Sequence, residues 1–285
     1  MRLMNAADMM QVAKKGGFAL PAINANGVTY DLVRAILEAA EELHSPLIIQ
    51  EYAPNLEYRG YDYFVMLTKF LGEGVNVPIS ISLDHGKNLE SVMYAVRAGF
   101  THIMFDYAEH PIEENIIQTN RVAEILRPLG ISLEAEVGDI FISTDGSKAP
   151  VTPVEDALKF LSLADVDFLA VGVGTTHGIF KSQDTIDFEH IKKMCSATEK
   201  PLVLHGTCGV SMEDISKCVQ WGMNKINFGE AIRMNYIRYF NELSETFPHE
   251  GHAWKIMQAA KDKVKEDVKE IIRAVGSEGR AVDYE

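Results

Sequence analysis

Eight short apolar runs, each followed by a segment of helical period, organise this 285-residue chain. Strand and helix patterns that alternate in this way predict a parallel sheet covered by helices. The predicted strands are 18–24, 46–52, 78–84, 102–107, 131–137, 168–174, 201–206 and 225–229. Eight such units without a long linker predict one α/β domain over residues 1–285, folded as a (β/α)8 TIM barrel. A doubly wound open sheet is the rival fold.

The chain continues beyond the last predicted strand. Residues 230–246 have a helical pattern, and residues 254–275 combine apolar positions at helical spacing with many charges. We expect this second segment to be a helical extension packed on the outside of the barrel, or alternatively a subunit contact. The longest loop-like stretch, 139–156, follows the fifth predicted strand and is rich in Gly, Ser, Thr and Pro.

Charge and composition exclude several functions. The formal net charge of −14 disfavours non-specific binding to nucleic acid and repels anionic substrates at long range. The three cysteines show no CxxC spacing, which favours a reducing compartment. The N-terminal segment has no signal-peptide pattern, and no apolar run approaches the roughly 20 residues that span a bilayer. We therefore expect a cytoplasmic protein without a membrane contact.

Three histidines end predicted strands, and each is followed by glycine: His85, His177 and His205. Parallel barrels assemble their active sites at the carboxyl ends of the strands, so these side chains are expected at one mouth. Imidazole is the commonest protein ligand for zinc, and a catalytic zinc usually has three protein ligands. The pattern predicts a metal site. The remaining histidines are interpreted as structural or surface residues: His44, His102, His110, His190, His249 and His252.

Carboxylates are expected at the same mouth. Asp84 directly precedes His85, and both side chains can reach the cavity where the strand ends and the chain turns. Glu134 and Glu136 are two residues apart in a strand and therefore share a face. The residues alone leave two interpretations open for this pair: a salt bridge inside the barrel, or support for the metal, with Glu136 as an alternative ligand. Asp84 is the candidate general acid/base.

The ordered set of segments resembles the class II, zinc-dependent fructose/tagatose-bisphosphate aldolases, especially the tagatose-bisphosphate type. The resemblance covers nearly the whole chain and includes SLDHG, SLEAEVG, VGTTHG, PLVLHGTCGV and IRAVGSEGRA. It implies reversible aldol cleavage of a ketose through a zinc-stabilised enediolate, in a homodimer or homotetramer.

The resemblance also assigns roles by position. It implies that His85, His177 and His205 hold one Zn²⁺ per subunit, that Glu136 can reach a displaced metal, and that Asp84 is the acid/base. The implied substrate-binding residues are Asn24, Gly178, Lys181, Gly206, Cys208, Gly209, Asn227 and Glu230.

The pocket for the substrate phosphate departs from the family pattern. Cys208 stands where the family usually has a serine, and Glu230 stands where it usually has a threonine. A carboxylate beside a dianionic phosphate is repulsive. Tyr52 and Tyr107–Ala108 replace small residues and are expected to narrow the pocket. We expect a non-standard or less phosphorylated sugar; the alternative is a bisphosphate aldolase that holds phosphate through backbone N–H groups alone.

The sequence is compatible with two other functions. A metal-dependent sugar epimerase or isomerase would use the same enediolate but reprotonate it instead of cleaving the sugar. A non-catalytic subunit that stabilises another aldolase is the other alternative, although such a subunit has no need for all three histidines and Asp84.

Overall fold

A computed structural model describes residues 1–138, 151–175, 186–246 and 252–285. Within these residues, nine strands form one all-parallel sheet. The strands are β1 Arg2–Leu3, β2 Leu20–Asn24, β3 Leu47–Tyr52, β4 Pro78–Gly86, β5 His102–Phe105, β6 Ser132–Val137, β7 Phe168–Val171, β8 Leu202–Leu204 and β9 Met223–Phe228.

Helices lie between the strands and after the last one. The α-helices of the described residues are α1 Ala6–Gly16, α2 Tyr30–Glu42, α3 Ala53–Arg59, α4 Tyr61–Leu71, α5 Leu89–Ala98, α6 Ile112–Leu126, α7 Val154–Leu163, α8 Phe188–Ala197, α9 Met212–Gln220, α10 Glu230–Thr246 and α11 Ala253–Ala274. Two short 3₁₀-helices cover Arg127–Leu129 and Arg280–Tyr284. Among the described helices, none combines the length and the apolar character that a membrane span needs.

The sheet closes into a barrel. Strands β2 to β9 follow one another around the ring, and pairing of β4 with β5 completes it. The predicted (β/α)8 barrel is therefore confirmed, and each of the eight predicted strands corresponds to a strand of the ring. The additional strand, β1, lies outside the ring, with Arg2 opposite Pro78 and Leu3 opposite Ile79 at the start of β4.

The amino-terminal end of the barrel is apolar and closed. Inward-facing side chains from β2, β3, β7 and β8 pack against helix α1, which buries Met9 and Met10 beneath them. Asn5 caps α1 by accepting a hydrogen bond from the Ala7 N–H at 2.7 Å. The carboxyl ends of the strands carry buried polar side chains, among them Asn24, Asp84, Glu136 and Asn227.

The charged C-terminal segment forms α11 on the outside of the barrel, as predicted. Its apolar face is buried against the barrel helices, with Val264, Val268 and Ile272 inaccessible to solvent. Along its edge, lysines pair with acidic residues of α2, including Lys265 with Glu42 at 2.7 Å. The spacing of apolar residues thus determines which face of α11 packs on the barrel, and the lysines lie along the border of that face.

Candidate metal centre and active site

The end of β4 brings Asp84 and His85 into the same cavity. His85 has a positive φ of 50°, and the pairing of β4 with β5 shifts register between Leu83 and Gly86. This irregularity interrupts the alternation of the strand, so consecutive side chains can both face the mouth. A Cβ at Gly86 would lie 2.8 Å from the Leu83 side chain and 3.1 Å from the backbone oxygen of Met104, so a larger residue would crowd this turn.

The rings of His85 and His205 converge on one point. Nε2 of His85 lies 3.2 Å from Nδ1 of His205. The other nitrogen of each ring is held by a carboxylate: His85 Nδ1 lies 2.6 Å from Asp106 Oδ2, and His205 Nε2 lies 2.9 Å from Glu134 Oε1. Carboxylates that orient imidazoles in this way are typical of metal-ligating histidines. Two nitrogens bound to one tetrahedral metal at about 2.0–2.1 Å would be about 3.4 Å apart, so the spacing fits a shared ion.

Two carboxylates complete the potential donor set. Asp84 Oδ1 is 3.9 Å from His85 Nε2, and Glu136 Oε2 is 4.0 Å from His205 Nδ1. Asp84, His85 and His205 form one group whose ligand atoms lie within 4.8 Å of one another, and His85, Asp106 and Glu136 form another. Nitrogen and carboxylate donors of this kind suit zinc and related divalent metals. The residues present therefore fit the metal that the sequence predicts.

The electrostatics of the cavity favour a cation. Burial alone would lower the pKa of His85, but the carboxylates of Asp84 and Asp106 raise it to about 9. Burial lowers the pKa of His205, which favours the neutral ring that a metal requires. Carboxylates thus surround the two rings, and a divalent cation that displaces the proton of His85 would meet negative charge there.

Glu134 is the centre of a polar cluster inside the barrel. One oxygen of its carboxylate contacts His205. The other oxygen contacts His102 Nε2 at 3.2 Å and Lys225 Nζ at 2.9 Å. All four side chains are buried. Burial alone would raise the pKa of Glu134, but the Lys225 ammonium and the hydrogen bonds of the two histidines hold it well below its usual range. The expected salt bridge inside the barrel is therefore made by Glu134.

Sequence reasoning gave Lys225 no role and interpreted His102 as structural. Lys225 is almost fully buried and also donates a 2.7 Å hydrogen bond to the side-chain oxygen of Asn227. This bond fixes the amide orientation of Asn227, whose nitrogen then faces the mouth. One signal was available: a lysine two residues from Asn227 in a buried strand shares its face.

Asp84 is held by two asparagines from other strands. Asn24 at the end of β2 donates to Asp84 Oδ2 at 2.7 Å, and Asn227 on β9 lies 3.4 Å from Oδ1. The three side chains are nearly inaccessible to solvent. The structure therefore brings together the predicted acid/base and two of the predicted substrate-binding residues.

The loop between β8 and α9 contains Gly206, Cys208 and Gly209. Both glycines have positive φ, 69° and 84°, and Thr207 donates a 2.6 Å hydrogen bond to the backbone oxygen of Asn227. This bond ties the loop to β9 beside the metal cluster. His177, Gly178 and Lys181 lie outside the described residues, as does most of the loop predicted over 139–156.

Glu230 opens helix α10 and pairs with Arg233 one turn later. The arginine partly offsets the negative charge that the sequence places in the phosphate pocket. Tyr52 stands edge-on to the His85 ring, with ring centroids 6.1 Å apart. Tyr107 instead stacks on His110 at 3.8 Å and donates to Glu114, so its ring lies against the start of α6.

Comparisons with known proteins show the family of this chain. The family model described as fructose-bisphosphate aldolase class-II matches residues 4–280. The chain belongs to the class II fructose-bisphosphate aldolase family. It is 33% identical to a sulfofructosephosphate aldolase of Alkalicoccus urumqiensis, with both chains fully covered. It is also 33% identical to a probable fructose-bisphosphate aldolase of Bacillus subtilis, over 99% of this chain and 100% of the relative.

A solved structure gives the same result. The YdjI aldolase of Escherichia coli K12 superimposes with a TM-score of 0.86 at 27% identity, over 98% of this chain and 99% of that one. The predicted family and the predicted metal-dependent aldolase, a carbon–carbon lyase, are confirmed. Class II aldolases act on sugar phosphates, and the comparisons do not favour the epimerase or partner-subunit alternatives.

The buried pair in this aldolase gives a test of its interior. Lys225→Met leaves the Glu134 carboxylate buried without its ammonium, which should lower the free energy of unfolding by roughly 3–5 kcal/mol. Removing both charges in Lys225→Met/Glu134→Leu should restore part of this loss. Urea unfolding measures both variants, and a Lys225→Met protein as stable as wild type would contradict the assignment.

Proposed function

We propose that this chain catalyses reversible aldol cleavage of a ketose phosphate at a zinc ion held by His85, His177 and His205. The observation that carries the proposal is the pair of imidazole nitrogens of His85 and His205, 3.2 Å apart, each ring fixed by a carboxylate and adjacent to buried Asp84. His177 enters on the sequence resemblance. Glu136, 4.0 Å from His205 Nδ1, is the alternative ligand.

The bound metal would act as a Lewis acid that polarises the substrate carbonyl and offsets negative charge developing on its oxygen. This chemistry explains why the cavity gathers carboxylates around two imidazoles. It also requires no lysine to form a Schiff base, which agrees with the burial of Lys225 in its pair with Glu134.

Asp84 moves the proton in the proposed reaction. In the cleavage direction its carboxylate accepts the proton of the hydroxyl whose carbon becomes the aldehyde, as the adjacent carbon–carbon bond breaks. In the synthetic direction Asp84 returns that proton to the aldehyde oxygen. The amides of Asn24 and Asn227 keep the carboxylate aimed at the mouth, through contacts of 2.7 and 3.4 Å. All three side chains are buried.

The ketone-side fragment is proposed to bind between β2, β8 and β9. Asn24 and Asn227 would contact it, together with the loop residues Gly206, Cys208 and Gly209 and with Glu230 at the start of α10. Gly178 and Lys181 complete the predicted set from the sequence. Cys208 and Glu230 favour a substrate other than the usual bisphosphate, and a relative named for sulfofructosephosphate supports this choice. Arg233 beside Glu230 provides a positive charge that could face an anionic group.

We further propose that the chain is one catalytic domain over residues 1–285, works in the cytoplasm and assembles as a homodimer or homotetramer. A groove of about 460 Å³ between α2, α3 and α10 supports the assembly. Aromatic side chains line it, among them Tyr30, Tyr63 and Phe240, and exposed Ile237 adjoins them. Apolar surface concentrated in this way is typical of subunit contacts.

The first prediction concerns the roles of Asp84 and His85. Asp84→Asn keeps a similar shape but cannot accept the proton, so kcat should fall by roughly 10²–10⁴-fold while bound zinc is retained. His85→Ala should lose both zinc and cleavage. Metal content and aldehyde release from a panel of ketose phosphates measure these effects, with exposed His252→Ala as the control. Full zinc content and activity in His85→Ala would refute the proposed centre.

The second prediction concerns the substrate. Wild type should cleave fructose or tagatose bisphosphate poorly, and Glu230→Thr with Cys208→Ser should lower KM for these sugars at least tenfold, worth about 1.4 kcal/mol. Cys195→Ser, a cysteine on α8, is the matched control. Efficient cleavage of either bisphosphate by the unaltered enzyme would disprove the altered pocket and leave the aldolase reaction in place.

The third prediction concerns assembly. Light scattering should give two or four times the mass of one chain, because the aromatic groove needs a partner surface. Ile237→Glu places a charge at its edge and should produce the monomer. Ile117→Glu, an equally exposed position on α6, should leave the mass unchanged. A monomeric wild-type protein would contradict the proposal.

A further inference from the structure

The turn after β2 adopts an unfavourable backbone conformation. Three consecutive residues have positive φ: Asn26 at 46°, Gly27 at 82° and Val28 at 54°. Glycine adopts this region readily and asparagine tolerates it, but a β-branched residue such as valine rarely does. Val28 is also buried. Interactions from outside the turn must therefore hold it in this shape.

The carboxylate of Glu51, on β3, stabilises the turn through hydrogen bonds. One oxygen accepts the backbone N–H groups of both Gly27 and Val28, each at 3.0 Å. The other accepts the backbone N–H of Tyr52 at 3.1 Å and the side chain of Asn55 at 2.7 Å. Successive N–H groups that converge on one negative atom form an anion-binding nest. Here the anion is a side chain of the protein itself.

Burial of this carboxylate costs stability. Glu51 is inaccessible to solvent, and its four donors are all uncharged. Burial raises the pKa of Glu51 to about 7, because these hydrogen bonds only partly replace the lost hydration of the charged form. A buried charge without an ionic donor is a poor choice for stability alone, so its place in the structure needs another explanation.

The turn connects Glu51 with the active site. Asn26 donates from its side chain to the backbone oxygens of Asn24, at 2.9 Å, and Gly229, at 3.1 Å. Asn24 is the residue that donates to Asp84, and Gly229 immediately precedes Glu230. A Cβ at Gly229 would lie 3.3 Å from Asn24, so the two segments are in close contact. A shift of the turn would therefore displace both Asn24 and the start of α10.

We propose that Glu51 is a positioning residue of the aldolase site. By stabilising the left-handed turn, Glu51 keeps the hydrogen bond from Asn24 to Asp84 in place and aligns the Gly229–Glu230 backbone. This inference rests on the proposed function, since Asn24 and Glu230 bind the ketone-side fragment there. Glu51 touches neither substrate nor metal. We expect its effect on the binding of the sugar and on the alignment of Asp84 rather than on the binding of metal by His85 and His205.

The variant Glu51→Gln tests the hold directly. Glutamine has the same size, but its amide has only one oxygen and cannot accept from both pairs of donors. We expect KM for the cleaved ketose phosphate to rise at least tenfold, kcat to fall less, and zinc content to stay unchanged. Amide hydrogen exchange at Gly27 and Val28 should accelerate at least tenfold. If Glu51→Gln does not fold, the shorter Glu51→Asp should give the same exchange and KM changes.

A matched control is Glu41→Gln. The Glu41 carboxylate likewise accepts a backbone N–H, that of Asn76 at 2.7 Å, together with the Asn76 side chain at 2.9 Å. Asn76 lies just before the start of β4, at the end of the barrel opposite the mouth. Loss of the hydrogen bonds between Glu41 and Asn76 should leave KM and kcat at their wild-type values.

Rescue separates positioning from a purely structural role. Glycine adopts positive φ without external support, so Val28→Gly added to Glu51→Gln should recover most of the lost kcat/KM, although the loss of the buried valine lowers the melting temperature further. If Glu51 had only a structural role, the double variant would be less stable and its kcat/KM would not recover.

Wild-type kcat/KM together with wild-type exchange at Gly27 and Val28 in Glu51→Gln would overturn the inference. Hydrogen exchange needs no substrate, so it tests whether Glu51 stabilises the turn even if the wild-type chain cleaves no ketose. Absence of cleavage by the wild-type chain would count against the proposed function and not against the role of Glu51 in the turn.

Discussion

The pairing of Glu134 with Lys225 inside the barrel is the interaction on which the site depends. A buried carboxylate is costly without compensation, and Glu134 has contacts with Lys225, His102 and His205. Its contact with His205 turns Nδ1 of that ring towards His85. Through Lys225, the same cluster orients the amide of Asn227. The polar interior of the barrel thus orients His205 and Asn227 at the mouth.

Above this cluster, the mouth has an excess of negative charge. Asp84, Asp106 and Glu136 surround the two converging imidazoles, and these groups are buried. Lys87 and His85 already pair with Asp106, and a divalent cation would offset the negative charge that Asp84 and Glu136 leave. The aldolase family to which the chain belongs uses this chemistry. Among the departures from the family pattern, Cys208 and Glu230 are the two on which the proposed choice of sugar rests.

Much of the fold follows from local sequence pattern. Eight apolar runs, alternating with helical segments, are enough to predict the closed barrel, and two of the three histidines followed by glycine, His85 and His205, lie in one candidate metal-binding group. The shared face of Glu134 and Glu136 also follows from strand geometry. His177, Gly178 and Lys181 lie outside the described residues, so their places at the site stay predictions.

Other features depend on contacts between distant segments, which a single sequence does not reveal. No local pattern pairs Glu134 with Lys225, nor does one predict the positive φ of His85 or the hold of Glu51 on the turn at Val28. The strand pattern predicted that β4 ends near His85, but the bulge that lets Asp84 and His85 face one cavity is set by pairing with β5.

The proposed metal centre requires that His85 and His205 share one metal ion. The most direct measurement is an anomalous difference map, recorded at the zinc absorption edge from crystals of the zinc-loaded protein. We predict one strong peak in the barrel mouth, within bonding distance of His85 Nε2 and His205 Nδ1. A map without a peak between these two nitrogens, or with zinc bound only elsewhere on the chain, would contradict the account.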